Sequence, residues 1–130
     1  MNCIFCKIIN GEIPSYTIYE DDIVKVLLDV NPDTNGHSLI IPKNHYENLN
    51  DIDEKVLHHI NSISKKMYCL LKDKLNCDGL TIIQNNDYGQ EIKHYHMHLV
   101  PRYKDDQYTL HYNKNIVKDP KEIYELITKK

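Results

Sequence analysis

No stretch of this chain approaches the roughly 18 consecutive apolar residues that a membrane-spanning helix requires, so no membrane partner is expected. The segment Met1–Ile9 lacks a basic region leading into a long apolar one, and it lacks a small-residue cleavage site. Those are the marks of an export signal, and the reading is a soluble cytoplasmic protein. Basic residues are not in surplus either: 16 Lys and Arg stand against 19 Asp and Glu, a formal net charge of −3. Without a positive field to hold a phosphate backbone, polymeric nucleic acid is set aside as the main partner. Cysteine is sparse, four in 130 residues, which is thinner than in disulfide-framed secreted domains, so reduced thiols are expected. Repeats and low-complexity tracts are missing too. What remains is a single domain over residues 1–130, long enough to bury a core without disulfides or an obligatory metal.

The pattern that is present alternates short strands with one long helix. Residues 16–19 and 23–29 are rich in β-branched and aromatic types around the polar Glu20-Asp21-Asp22, which predicts a hairpin. Asn31 to Gly36 is dense in turn formers, and His37 to Ile41 is a third strand ended by Pro42. Val56, Ile60, Ile63, Met67, Leu70, Leu71 and Leu75 step by three and four, one stripe along about six helical turns. Asp51 followed by Glu54 predicts a capping box at its start. Cys69 is expected on the apolar side as a small buried residue, and His58 and His59 as surface or satisfied histidines. Residues 80–84 and 91–102 are expected as the fourth and fifth strands, with a loop at 85–89. The tail has a weak helical pattern at Ile123, Leu126 and Ile127. Connections too short for repeated crossovers imply an α+β fold: an antiparallel sheet of about five strands, one long helix and a shorter C-terminal helix.

Chemistry concentrates on the fifth strand. In His94-Tyr95-His96-Met97-His98-Leu99, alternation places three imidazoles on one solvent-facing side and Tyr95, Met97 and Leu99 on the side that packs on the helix. Successive histidines lie about 6.6–7 Å apart on such a strand, near enough for one small anion to meet two of them. Alternating histidines are also a common zinc scaffold, and spacing alone leaves that alternative open. Gly89-Gln90-Glu91 weighs towards phosphate, because a glycine admits a close ligand and an amide can bond a phosphate oxygen. At the other end, Cys3 and Cys6 form a Cys-x-x-Cys pair, half of a metal site or a redox pair.

Taken together, Cys-Ile-Phe-Cys-Lys-Ile-Ile (3–9), Gly-Glu-Ile-Pro (11–14), Gly-His-Ser-Leu-Ile-Ile-Pro-Lys-Asn-His (36–45), Gly-Gln-Glu (89–91) and His-Tyr-His-Met-His-Leu-Val-Pro-Arg-Tyr (94–103) resemble the histidine triad family of nucleotide hydrolases and transferases. They are most similar to its nucleoside phosphoramidase branch, in a bacterial or protist form. The resemblance covers residues 3–103 and leaves the tail, 104–130, as the variable part.

The resemblance implies that His96 is the nucleophile towards the α-phosphorus of a purine nucleotide, forming a nucleotidyl-histidine that water hydrolyses. Its second ring nitrogen is then expected to donate to a backbone carbonyl. His98 is implied to bond the phosphate and help protonate the leaving group. His37 supports the nucleophile, and His94 completes the reactive strand. Asp29 is implied to hold the ribose hydroxyls, with Val30, Leu27, Ile4, Phe5 and Ile8 walling the base. Asn85, or its neighbour Asn86, stands near the phosphate, with Gly89, Gln90 and Glu91 lining the same pocket. Glu91 departs from relatives that carry there a serine contacting the leaving group. Cys3, Cys6, His45 and His94 are the implied ligands of a structural zinc, a closed set of two thiolates and two imidazoles; no organic cofactor is called for. A homodimer formed through the sheet and main helix is implied. Rival functions are a dinucleoside polyphosphate hydrolase, a nucleotide-binding adaptor with weak activity, and a zinc hydrolase that uses the histidine strand for its metal.

Overall fold

The computed structural model describes residues 3–130. A short helix α1 (Ile4–Ile9) precedes β1 (Thr17–Glu20), β2 (Val24–Leu28) and β3 (Ser38–Pro42). The long helix α2 (Glu54–Leu75) follows, then β4 (Gly79–Gln84), β5 (Met97–Arg102), a 3-10 turn at Lys114–Ile116, and α3 (Pro120–Thr128). The five strands form one open sheet in the order β1-β2-β3-β5-β4, and every neighbouring pair is antiparallel. This is the α+β architecture expected from the short connections. Among the described residues, no helix is long and apolar enough to cross a membrane.

Two-residue periodicity divides the sheet between two helices. Val24 and Val26 of β2, Ile40 of β3 and Met97 and Leu99 of β5 turn to one face and meet Ile60, Ile63, Met67 and Leu71 of α2. Leu27, Leu39 and Ile41 turn to the other face and meet Phe5 and Ile8 of α1. β3 is therefore buried on both sides along its whole length, which explains its unbroken apolar run. The face under α1 is the one that carries the site.

Four sequence expectations are corrected. Helix α1 is additional to the one long and one C-terminal helix expected: Cys3 caps it by accepting from the Cys6 N–H, and its Phe5 and Ile8 are buried. The cap of α2 is Asp53, which accepts from the N–H groups of Lys55 and Val56. Asp51 instead accepts from Glu47 and Asn48 and builds the preceding turn. Cys69 is exposed, because two residues beyond buried Met67 is about 200° round a helix. The ladder of β5 starts at Met97, not Glu91. Its partner β3 ends at Pro42, which has no N–H to extend the pairing; Tyr95 N–H bonds the Tyr46 carbonyl instead, at 2.7 Å.

Asp21 ties the β1–β2 turn to α2. Its carboxylate accepts from the Ile23 and Val24 N–H groups, the Tyr19 hydroxyl and His59 Nε2 at 2.7 Å, so His59 is a satisfied histidine as expected; His58 is exposed. Burial raises the Asp21 pKa, but the bonds from Val24, His59, Ile23 and Tyr19 outweigh it and hold the carboxyl well below the usual range. A carboxyl depressed in the folded state stabilises above its unfolded pKa, about 3.9, and that contribution drains away as pH falls below it. Asp21→Asn is therefore expected to lower stability at neutral pH and to flatten the loss of stability between about pH 4 and pH 2. Urea unfolding at both ends of that window checks it; parallel curves for the two proteins would contradict it.

Candidate active site and metal centre

Pairing sets the positions of the reactive side chains. Leu39 stands opposite His98 across β3 and β5, so the side of β3 that carries His37 and Leu39 is also the side of β5 that carries His98. His37 is 4% exposed and His96 is 5% exposed, while His94 is wholly buried. His94 and His96 are thus not part of the solvent-facing row that alternation predicts, because α1 covers them, while His98 is half-buried against His37 and His96. Phe5 packs edge-on against both His96 and His94, with ring centroids 5.1 and 5.7 Å away.

Hydrogen bonds to groups with only one possible role fix the tautomers. His96 Nδ1 lies 2.8 Å from the His94 carbonyl, which can only accept, so Nδ1 carries the proton and Nε2 keeps a free lone pair. The Asp33 backbone N–H donates to His37 Nδ1 at 3.0 Å, which places the His37 proton on Nε2. His37 Nε2–H then donates to His98 Nδ1 at 3.0 Å, and the remaining proton of His98 is on Nε2. The result is a lone pair on His96 beside an N–H on His98, their ring centroids 4.9 Å apart. Burial pulls His96 below its ordinary pKa, against the His94 bond and the charges of Asp29 and Glu91. Burial, then the neighbouring His96 and His37, pull His98 down to about 4. Both rings are neutral at physiological pH.

His96, His98 and His37 line a cavity of about 560 Å³, within the range of small-molecule sites. Ile4, Phe5, Ile8, Leu27 and Val30 line it, with Asp29, Asn85, Gly89 and Glu91. Asp29 accepts from the Asn31 N–H at 2.9 Å and lies 3.6 Å from His37 Nε2. Of the two asparagines, Asn85 lines the cavity, while Asn86 bonds Gln84 and the Leu49 N–H. Gln90 is not in the cavity wall. It is buried, donating to the Glu47 carbonyl at 2.7 Å and accepting from the Asp87 N–H, and so fastens the 85–91 loop to the segment before α2. His94 is also outside the wall; what it gives the site is its carbonyl. Leu39, Ile13, Pro14, Ser15 and Ile92 line the cavity without having been foreseen. The two-residue step from His37 was the signal for Leu39; the others are brought in by loops that carry no such period.

Behind Phe5, four side chains converge. His94 Nδ1 lies 3.3 Å from Cys3 Sγ, 3.6 Å from Cys6 Sγ and 3.1 Å from His45 Nδ1, and Cys6 Sγ is 3.3 Å from His45 Nδ1. All four donor atoms lie within 4.8 Å of one another. Zinc–sulfur bonds of about 2.3 Å and zinc–nitrogen bonds of about 2.0–2.1 Å at tetrahedral angles give edges of about 3.3–3.8 Å, so the cluster has the size and donor chemistry of a metal site. His94 Nε2 donates to the Pro42 carbonyl at 2.9 Å, which aims the Nδ1 lone pair at the cluster, as an outer-shell acceptor does for a ligating histidine.

This chain belongs to the HIT domain family, whose model matches residues 10–105. An uncharacterised HIT-like protein of Methanocaldococcus jannaschii is 46% identical over 107 residues, 80% of this chain and 81% of its own length. The adenosine 5'-monophosphoramidase of Saccharomyces cerevisiae is 40% identical over 102 residues, 77% of this chain and 62% of its own. Among solved structures, a HIT family protein of Bacillus subtilis superposes with a TM-score of 0.85 at 34% identity, covering 98% of this chain and 94% of that one. A zinc-bound histidine triad protein of Mycobacterium smegmatis superposes with a TM-score of 0.80 at 32% identity, covering 87% and 84%.

Proposed function

We propose that this protein hydrolyses purine nucleoside 5'-phosphoramidates to AMP or GMP and an amine, through a nucleotidyl-His96 intermediate. The observation that carries the reading is the pair of locked tautomers. His96 Nδ1–H is tied to the His94 carbonyl, which leaves Nε2 as a nucleophile needing no deprotonation. His98 is held by His37 with its own Nε2–H available. Nε2 of His96 attacks the α-phosphorus, the P–N bond breaks, and its electron pair leaves with the amine, which takes the Nε2 proton of His98. Water then attacks phosphorus and gives a proton back to His98 Nε2, the pair returns to His96 Nε2, and the nucleotide departs. In sum the hydroxyl of one water ends on phosphorus and its hydrogen on the amine. The base lies against Ile4, Phe5, Ile8, Leu27 and Val30, the ribose hydroxyls bond Asp29, and Asn85 and Gly89 flank the phosphate. The yeast relative's activity is of this class.

The test is AMP release from adenosine 5'-phosphoramidate against diadenosine tetraphosphate. The phosphoramidate is expected to be cleaved with the larger kcat/KM. A preference for the tetraphosphate would move the protein to the dinucleoside polyphosphate branch, and nucleotide binding without cleavage of either would make it an adaptor. Because burial draws the nucleophile His96 below its ordinary pKa, the acid limb of kcat/KM, which reports protonation of its Nε2, is expected below the ordinary imidazole value of about 6.5. An acid limb at or above that value would contradict a buried, neutral His96.

Zinc is the metal that two thiolates and two imidazoles suit, and we assign it to Cys3, Cys6, His45 and His94 as a structural ion. A reducing compartment such as the cytoplasm suits thiolate ligands. We further infer a homodimer through the sheet and α2: β4 is an open edge, Ile82 on it is 50% exposed, and Leu75 at the end of α2 is 40% exposed.

A further inference from the structure

The cavity is short of positive charge. Among the described residues lining it are three carboxylates, Asp29, Asp33 and Glu91, and no Lys or Arg. A nucleotide phosphoramidate brings at least one more negative charge. Neutral imidazoles and an asparagine amide can bond its oxygens but cannot cancel that charge.

One of the three carboxylates is hydrogen-bonded: Asp29 accepts from the Asn31 N–H and sits beside His37. Asp33 holds His37 through its backbone N–H, and its carboxylate is exposed, 4.0 Å from the lone-pair nitrogen Nδ1. Glu91 is exposed at the rim, and no hydrogen bond or ion pair engages its side chain among the described residues. The nearest cation along the chain, Lys93, donates to the Asp87 carbonyl at 3.0 Å. Glu91 is also close enough for its charge to act on His96.

We propose that Glu91 is a specificity-determining residue that selects nucleotide substrates whose departing amine carries a second, cationic centre, as a short alkyl diamine does. This rests on the phosphoramidate reading above and adds to it the class of leaving group. The distal ammonium supplies the cation that the cavity lacks. It keeps its charge while His96 Nε2 bonds to phosphorus, the P–N bond breaks, and the departing nitrogen takes its proton. A pyrophosphate-type leaving group adds negative charge beside the same carboxylate and is disfavoured by it.

The test uses two adenosine 5'-phosphoramidates of equal length, one made from pentylamine and one from 1,4-diaminobutane. AMP release is followed with wild type and Glu91→Gln, at low and high salt, with and without magnesium. Wild type is expected to favour the diamine substrate by about 5- to 10-fold in kcat/KM at low ionic strength, the scale of one partly screened charge pair. That ratio should approach one in Glu91→Gln and in about 0.5 M salt. Equal rates in wild type, or a preference that Glu91→Gln retains, would overturn the proposal. So would a preference for pentylamine that magnesium reverses, which would put a metal ion opposite Glu91. If neither compound is hydrolysed, the phosphoramidate reading is what fails. Calorimetric binding of the same pair then decides the Glu91 proposal: tighter binding of the diamine compound to wild type alone supports it, and equal binding overturns it.

Discussion

His96→Ala is expected to lower kcat/KM for AMP release by about 10⁴-fold or more, the scale seen when a covalent nucleophile is removed, while the protein stays folded. The ring is buried against Phe5 and bonded to the His94 carbonyl, so its loss also has a structural cost. A small cavity and one unpaired carbonyl cost about 1–3 kcal/mol, about 4–11 °C in melting temperature for a chain of this size. The two readouts therefore separate: a rate collapse with a melting shift of that size marks a nucleophile, and a rate that falls only as far as the folded fraction marks a structural histidine. His98→Asn provides the comparison. It keeps a donor near the phosphate but cannot reproduce the ring's paired acceptor and donor, and a smaller loss than for His96→Ala is expected.

Removing the metal is the second large effect. Purified protein is expected to carry one zinc per chain, and Cys3→Ser or prolonged chelation to lower the melting temperature by about 10 °C or more, since the energy of binding a structural zinc is folding energy. The consequences reach the cavity by a short route. Cys3 caps α1 and Cys6 lies in its first turn, α1 carries Phe5 onto His96, and His94 presents both a ring to the cysteine and histidine cluster and a carbonyl to His96. Activity is therefore expected to fall in step with the unfolding of α1. Immediate loss of activity on chelation with the fold intact would point to a metal acting directly on substrate, and metal-free protein with unchanged melting would refute the structural assignment.

Much of this was legible in the chain because two periodicities are strong. The three-and-four step from Ile60 to Leu71 is the buried stripe of α2, and alternation through β2 and β3 gives each face of the sheet its helix. The histidine strand and the Cys-x-x-Cys pair could be read from residue type and spacing. Where reading failed, contacts distant in sequence decide. Ile4–Ile9 is helical because Cys3 caps it and the sheet takes Phe5 and Ile8, which outweighs the preference of isoleucine for strands. Gln90 turns away from the cavity because the Glu47 carbonyl, 43 residues back, offers it a bond. His94 and His96 are buried by a helix that their own strand gives no sign of. Asp53 rather than Asp51 caps α2 because Asp51 is already used by Glu47 and Asn48, a local competition that the spacing rule for caps does not register.

The most direct test of the account is intact-mass measurement of wild type and His96→Ala mixed with an adenosine 5'-phosphoramidate and quenched on the millisecond scale. The account expects wild type to gain one AMP that is lost as turnover ends, and His96→Ala to gain none. An AMP adduct that persists in His96→Ala, or rapid AMP release by wild type with no adduct at any time, would contradict the covalent role of His96.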